Sequence, residues 1–160
     1  MIKLVINLVD KTGPILSQEV KINETNSATV TISSNKELKN DKPTWKIAND
    51  NLSMSKTFLA NQDYFTTFSD KFGNKTNYNI KFSDIKIPYQ VDYTYDSTNH
   101  SMLVTVSTTS KFSKTKPTWN LSDDGKTYTK TFFENNSYFT KFTDIYGNSE
   151  DIEINFNLTE

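Results

Sequence analysis

The chain of 160 residues has no cysteine, a single histidine and no arginine, so all of its 18 basic residues are lysine. The lack of cysteine excludes disulfides, thiol catalysis and iron–sulfur clusters, and one histidine is too few for a zinc finger. Acidic residues number 19 and give a formal net charge of −1, which offers no basic surface for nucleic acid or an anionic membrane. Mean hydropathy is −0.64 and no long apolar run is present, which excludes a membrane-spanning helix.

Glycine and proline are also scarce, at four residues each, whereas aromatic residues make up 13% of the chain. Hydrophobic residues reach only 34%, and threonine, serine, asparagine and lysine take their place. This composition favours a folded β protein with polar outer faces, because disordered chains carry far fewer aromatic residues. Residues 1–20 lack the apolar stretch and the cleavage site of a signal peptide. We therefore expect such a peptide to be missing or the chain to be part of a longer protein.

The sequence contains an internal repeat, because matching residues recur 74 positions apart, as Trp45 and Trp119 do. The matching pairs are Lys42–Trp45 with Lys116–Trp119, Tyr64–Thr66 with Tyr138–Thr140, and Asp70, Gly73 and Asn74 with Asp144, Gly147 and Asn148. This pattern predicts two domains, at residues 10–84 and 85–160. Residues 1–9 alternate apolar and polar side chains, and they are either the last strand of a preceding repeat or an extra first strand of the first domain.

Each repeat contains short alternating segments separated by turn residues, and no segment has a helical period. In the second copy the predicted strands include 91–95, 117–121, 128–133, 138–143 and 152–158. About seven short strands in some 75 residues are typical of an all-β sandwich. The sequence therefore predicts two tandem immunoglobulin-like β-sandwiches without disulfides, in which Trp45 and Trp119 on the third strand anchor the cores.

The turn and strand motifs resemble those of bacterial immunoglobulin-like domains, which are arrayed on cell-surface proteins of Gram-positive bacteria. The first copy carries the opening Asp10–Pro14, then Trp45, Tyr64, Phe68, Asp70, Gly73 and Asn74. The second copy carries Trp119, Asp124–Thr127, Lys130–Phe132, Tyr138, Phe142–Asp144, Gly147 and Asn148. The second copy departs at its start, where only Asp84 and Pro88 remain, and the first departs at its central turn, Asp50–Ser53.

The resemblance implies an extracellular location, at the cell surface or cell wall, and a role as a stalk or adhesive array. It implies no catalytic residue and no cofactor, so we expect a protein that is not an enzyme. The expected state is a monomeric fragment of a longer repeat array within a larger surface protein. Two alternatives remain, a module that binds a host glycan or an extracellular matrix protein, and accessory domains of a secreted enzyme.

Strand alternation singles out four candidate ligand-binding residues. Because Tyr64 and Phe68 share one strand face, Phe65 between them should point outward, and Phe139 should do so in the second copy. By the same reasoning Leu59 and Phe133 are expected to be exposed beside them. Outward aromatic rings on a polar sheet are suited to stack on a host glycan or to fill a pocket in a matrix protein. The alternative is that strand twist or interdomain packing buries these side chains.

Other polar residues have structural interpretations that outweigh the functional ones. His100 lies between two polar residues and is expected to be a solvated turn residue. Aspartates can ligate calcium or cap turns, and we expect turn capping at Asp10, Asp84, Asp123 and Asp124. Lys56 and Lys130 are candidates for isopeptide cross-links to Asn74 and Asn148. We expect them instead to be ordinary exposed lysines. We expect no metal site and no catalytic residue.

Overall fold

The computed structural model describes residues 10–158, and the strand predicted at residues 1–9 lies outside them. The described part of the chain is all-β and forms no helix. Six strands belong to each sequence repeat. Those of the first repeat are β1 (Leu16–Asn23), β2 (Ser27–Ser34), β3 (Lys46–Ile47), β4 (Ser53–Phe58), β5 (Gln62–Ser69) and β6 (Lys75–Phe82). Those of the second are β7 (Tyr89–Asp96), β8 (Ser101–Thr108), β9 (Asn120–Leu121), β10 (Thr127–Phe132), β11 (Asn136–Thr143) and β12 (Ser149–Phe156).

Each repeat folds into one four-stranded and one two-stranded antiparallel sheet. The orders are β1-β2-β4-β3 and β5-β6 in the first repeat, and β7-β8-β10-β9 and β11-β12 in the second. An isolated antiparallel bridge joins Leu38 to Asp70 just past β5, and Phe112 to Asp144 just past β11. An immunoglobulin constant-type domain has the sheets A-B-E-D and C-F-G, so strand C is reduced here to a single bridge. The two β-sandwiches therefore have six strands and this bridge each.

The core of each sandwich lies between its two sheets. In the first repeat the Trp45 ring packs edge-on against Phe58 of the larger sheet, with centroids 6.1 Å apart, and against Phe68 of the smaller sheet at 5.4 Å. In the second repeat Trp119 contacts Phe132 at 6.0 Å and Phe142 at 5.3 Å. These tryptophans are the predicted core anchors, since each joins the two sheets through aromatic contacts.

The tryptophans do not lie within a strand, however. Residues 117–121 were predicted as one short strand, but β9 contains only Asn120–Leu121. Residues 117–119 form a turn, closed by a hydrogen bond from the Trp119 amide to the Lys116 carbonyl of 3.2 Å. Pro117 has no amide hydrogen for a sheet ladder, which favours a turn at this position. The third strand therefore begins after the tryptophan in both repeats.

Two compact units are present in the described chain. The first takes in the described residues up to Lys21, Ala28–Phe58 and Gln62–Ser83. The second takes in Ile22–Ser27, Leu59–Asn61 and the described residues from Asp84 onward. The main division therefore falls at residues 83–84, while two short segments of the first repeat group with the second unit.

Candidate functional site

The Asp-x-x-Gly-Asn motif of each repeat builds a tight turn after the bridge. Asp70 is buried, and its Oδ1 accepts hydrogen bonds from the Phe72 and Asn74 amides, both at 2.9 Å, while Asn74 Nδ2 donates to Oδ2 at 2.8 Å. Gly73 takes a φ of +89°, which a side chain would strain. Burial of Asp70 works to raise its pKa, but the hydrogen bonds from Asn74 and Phe72 outweigh it and lower the pKa. The turn aspartates therefore have a structural role.

Lysines cover the aromatic core at the equivalent positions of both repeats. Lys42 Nζ lies 4.8 Å from the Phe68 ring centroid and donates to Thr66 Oγ1 at 2.9 Å. Lys116 Nζ lies 4.6 Å from the Phe142 centroid and donates to Thr140 Oγ1 at 2.5 Å. Partial burial lowers the pKa of Lys116, and the nearby charge of Lys130 lowers it further. These lysines therefore cover one core ring in each repeat through cation–π contacts.

The candidate aromatic residues Phe65 and Phe139 are both exposed, at 78% and 69% of their surface. Phe65 lies on β5 opposite Asn79 of β6, and Phe139 lies on β11 opposite Glu153 of β12. Each ring stands on the outer face of a two-stranded sheet, because its sequence neighbours point toward the core. Strand alternation therefore gave their direction correctly.

The other two candidates, Leu59 and Phe133, are exposed as well, at 47% and 69%. Phe133 follows β10 and lines a cavity with Thr94 of β7 and Leu103 of β8, which belong to the four-stranded sheet. Leu59 follows β4 and groups with the second compact unit, whereas Phe65 belongs to the first. Within the second repeat, Phe133 therefore follows a strand of the larger sheet, whereas Phe139 lies on the smaller sheet.

A polar cavity of about 590 Å³ opens on the outer face of the sheet that carries Phe65. Outward positions of β5 and β6 form part of its lining, and the chain between the Leu38 bridge and Trp45 forms the rest. A hydrogen bond of 2.9 Å from the Lys39 amide to the Ser69 carbonyl holds that chain beside β5. The lining side chains are Asp41, Lys42, Thr67, Ser69, Lys75 and Asn77.

Sequence reasoning missed this cavity because its residues come from three separate segments. Only Phe65, on the same strand face as Thr67, marked the surface in advance. Lys42 was visible as part of the repeated motif, but nothing in the sequence placed it near Asn77. The pairing register, which sets Thr67 opposite Asn77, brings the segments together.

Two of the four aspartates considered for calcium, Asp10 and Asp124, have structural partners. Asp10 forms a 2.6 Å ion pair with Lys36, and this hydrogen bond, with those from Thr12, holds its pKa well below the usual range. Asp124 accepts hydrogen bonds from Ser122 and from the Lys126 amide, and these lower its pKa. Within residues 10–158 no group of three or more histidine, aspartate or glutamate residues is placed to hold a metal ion.

The two lysines considered for cross-links lie near aromatic rings. Lys56 Nζ lies 5.1 Å from the Phe58 centroid, and Lys130 Nζ lies 4.9 Å from that of Phe132. The asparagines considered as their cross-link partners, Asn74 and Asn148, donate hydrogen bonds instead to the turn aspartates. His100, in the turn between β7 and β8, is exposed and lies 3.0 Å through Nδ1 from the Tyr95 hydroxyl.

The fold thus defines a tandem all-β protein in which each repeat is a β-sandwich. Comparisons with protein-family models, with curated proteins and with solved structures gave no match for the chain. Within the described residues, no helix has the length and apolar character needed to cross a membrane.

Proposed function

We propose that this chain is a non-catalytic structural and interaction module, part of a stalk or adhesive array on a larger bacterial surface protein. The observation that carries this proposal is the use of the repeated motif residues in building the fold. Asp70 and Asp144 organise turns, Lys42 and Lys116 cover aromatic rings, and the tryptophans join the sheets. A unit repeated with its structural motifs intact is suited to hold other domains away from a cell wall.

The resemblance to bacterial immunoglobulin-like domains of Gram-positive surface proteins supports the extracellular location that this proposal includes. The same chain could serve as accessory domains of a secreted enzyme. The gene context of the parent protein separates these roles, since a neighbouring hydrolase domain in the same chain favours the second.

Mechanical stretching tests the stalk function. Single-molecule force spectroscopy of a polyprotein containing the 160-residue chain should show two unfolding events per copy, each releasing a similar contour length. The repeats are of nearly equal length, so each sandwich should extend by about 3.3–3.6 Å per residue released, less its folded span. Extension at low force without discrete unfolding events would contradict the function of a stalk that resists mechanical force.

A second candidate function, the binding of a host glycan or matrix protein, is favoured by the exposure of Phe65 and Phe139. Large apolar rings standing alone on polar strands contribute nothing to the core, which makes them available for a partner. The chain carrying Phe65→Ala and Phe139→Ala together should lose saturable binding to glycans or matrix proteins. Saturable binding retained by that double variant would remove the aromatic rings from the function.

A further inference from the structure

We propose that the outer face of β5 and β6, formed by Phe65 and the adjoining polar cavity, is a binding site for an oligosaccharide. This inference deepens the second candidate function and rests on it. It assigns the site to the first repeat alone, and it adds cavity residues that the aromatic ring does not itself reveal.

The first step is the position of the ring beside the cavity. Phe65 and Thr67 are two residues apart on β5 and therefore point to the same side of the sheet. Across the ladder, Asn79 lies opposite Phe65 and Asn77 lies opposite Thr67. Since Thr67 and Asn77 line the cavity, the exposed ring stands one side-chain position, about 7 Å along the strand, from its wall.

The second step is the hydrogen-bonding capacity around the ring. Thr67 Oγ1 donates to Asn77 Oδ1 at 2.8 Å, a bond that uses the amide oxygen of Asn77 and neither of its N–H donors. On the other side of the ring, Asn79 Nδ2 donates to Asp63 Oδ1 at 3.2 Å. The face therefore offers the amide donors of Asn77 on one side of the ring and, on the other, the Asp63 carboxylate, which Asn79 and Lys81 hold in place.

The third step concerns the cavity wall formed by the preceding segment. Lys42 is fixed there by Thr66 and by the Phe68 ring, while Asp41 and Lys75 are exposed. Ser69 is buried, so the groups that can exchange hydrogen bonds with sugar hydroxyls are the exposed Asp41, Lys75 and Asn77 and the Thr67 hydroxyl. This distribution is too polar for the centre of a protein interface, where charged residues are depleted.

The combination fits a sugar better than a protein surface. A pyranose ring has an apolar C–H face, which stacks on the negative face of an aromatic ring, and a rim of hydroxyls that need hydrogen-bond partners. Phe65 offers such a face, and the cavity beside it offers the partners for the rim or for the next sugar unit. Binding sites of this kind combine apolar surface with a few placed polar groups.

The second repeat does not reproduce this site. Phe139 is exposed as well, but it lies opposite Glu153, and Lys141 takes the position of Thr67. Other cavity residues are also replaced in the second repeat. The counterparts of Asp41, Lys75 and Asn77 are Thr115, Ser149 and Asp151. Asp151, the exposed counterpart of Asn77 on β12, is therefore a control position at which a substitution should leave the site intact.

The test is binding of the 160-residue chain to a printed array of neutral, sialylated and sulfated glycans, followed by titration with the best-bound glycan. We expect Phe65→Ala to weaken binding by about tenfold, as the loss of one stacking ring should. Asn77→Ala should also weaken it, and Asp151→Ala, at the equivalent position of the second repeat, should leave it unchanged. Thermal unfolding of each variant checks folding, which these exposed positions should not disturb.

Two outcomes would overturn the proposal and are distinguishable from each other. Glycan binding that survives Phe65→Ala, or that Asp151→Ala abolishes, would leave a binding function but place it elsewhere. Silence of the wild-type chain on every printed glycan would reject an oligosaccharide as the ligand. The stalk function is tested by stretching and does not depend on either result.

Discussion

At the scale of single residues, the turn aspartates show how a buried charge can be held in a small β domain. Asp70 is 1% exposed, yet the Asn74 and Phe72 hydrogen bonds keep its carboxylate form favoured. A buried polar group is tolerated only when such partners replace the lost water. The equivalent Asp144 has the same three bonds, from the Tyr146 and Asn148 amides and from Asn148 Nδ2.

This arrangement predicts that the first repeat loses stability in acid. Because the pKa of Asp70 is lower in the folded chain than in the unfolded chain, its contribution is fully present above the unfolded value of about 4. That contribution is lost as the pH falls from about 4 through the folded pKa. Urea unfolding between pH 7 and pH 2 should show the free energy of unfolding falling over this window.

The variant Asp70→Asn tests the assignment. It should be less stable than the wild type at pH 7, because its amide nitrogen would face the Asn74 Nδ2 donor, and its stability should depend less on pH below 4. The exposed Asp151, changed to asparagine, is a control for the loss of one charge. An Asp70→Asn variant with the wild-type acid slope would show that other carboxylates cause the acid sensitivity.

At the scale of elements, the turn before β4 and β10 shows how two sequences give one structure. In the second repeat Gly125 has a φ of +72°, and in the first repeat Asn51 occupies the equivalent position with a φ of +57°. The preceding aspartates act alike, since Asp50 Oδ1 accepts from the Leu52 amide and Asp124 Oδ1 from the Lys126 amide. Asparagine tolerates the left-handed region better than most residues, so the turn survives its apparent departure from the motif.

Substitutions at this turn should therefore affect the stability of the two repeats differently. Gly125→Ala should destabilise the second repeat by about 1–2 kcal/mol, because alanine must adopt the left-handed conformation. Asn51→Gly should leave the first repeat unchanged or stabilise it by a few tenths of a kcal/mol, since glycine adopts the same angle without strain. Urea unfolding of the two variants measures both effects, and a stable Gly125→Ala variant would mean that the turn rearranges.

The limits of sequence reasoning are also clearest at this scale. The 74-residue interval placed the main strands, because each alternating segment has a counterpart in the other copy. Sequence reasoning placed Trp119 in a short strand over residues 117–121, whereas residues 117–119 form a turn. It also grouped Phe133 with Phe139, although one residue follows β10 and the other lies on β11. Sheet membership depends on pairing between distant segments, and alternation within a single strand does not report it.

The cavity beside Phe65 was missed for the same reason. The outward direction of the Phe65 ring could be predicted from Tyr64 and Phe68, whereas the cavity wall depends on the chain around Lys42 lying beside β5. That placement arises from the Leu38–Asp70 bridge, which is too short to leave an alternating pattern in the sequence. Local patterns therefore revealed the exposed ring and not the groups around it.

At the scale of the whole molecule, each sequence repeat has an aromatic core of its own. Phe68 contacts Trp45 in the first repeat, and Phe142 contacts Trp119, Phe112 and Tyr128 in the second. Domains of this size bury only about 60% of their unfolded surface, so the loss of one large core ring should be felt strongly. We therefore expect a core substitution to lower chiefly the stability of the repeat that contains it.

The pair Phe142 and Phe139 tests this expectation within one strand. Phe142 is fully buried and Phe139 is 69% exposed, although both lie on β11. Phe142→Ala should cost about 3–5 kcal/mol through the lost contacts and the cavity left behind, whereas Phe139→Ala should stay within about 0.5 kcal/mol. In differential scanning calorimetry Phe142→Ala should move one unfolding transition down by 10 °C or more, on the order expected for a domain of this size. Phe68→Ala should move the other transition. If either variant shifted all of the unfolding heat together, the two repeats would unfold as one cooperative unit, and a stalk made of them would yield to force in a single step.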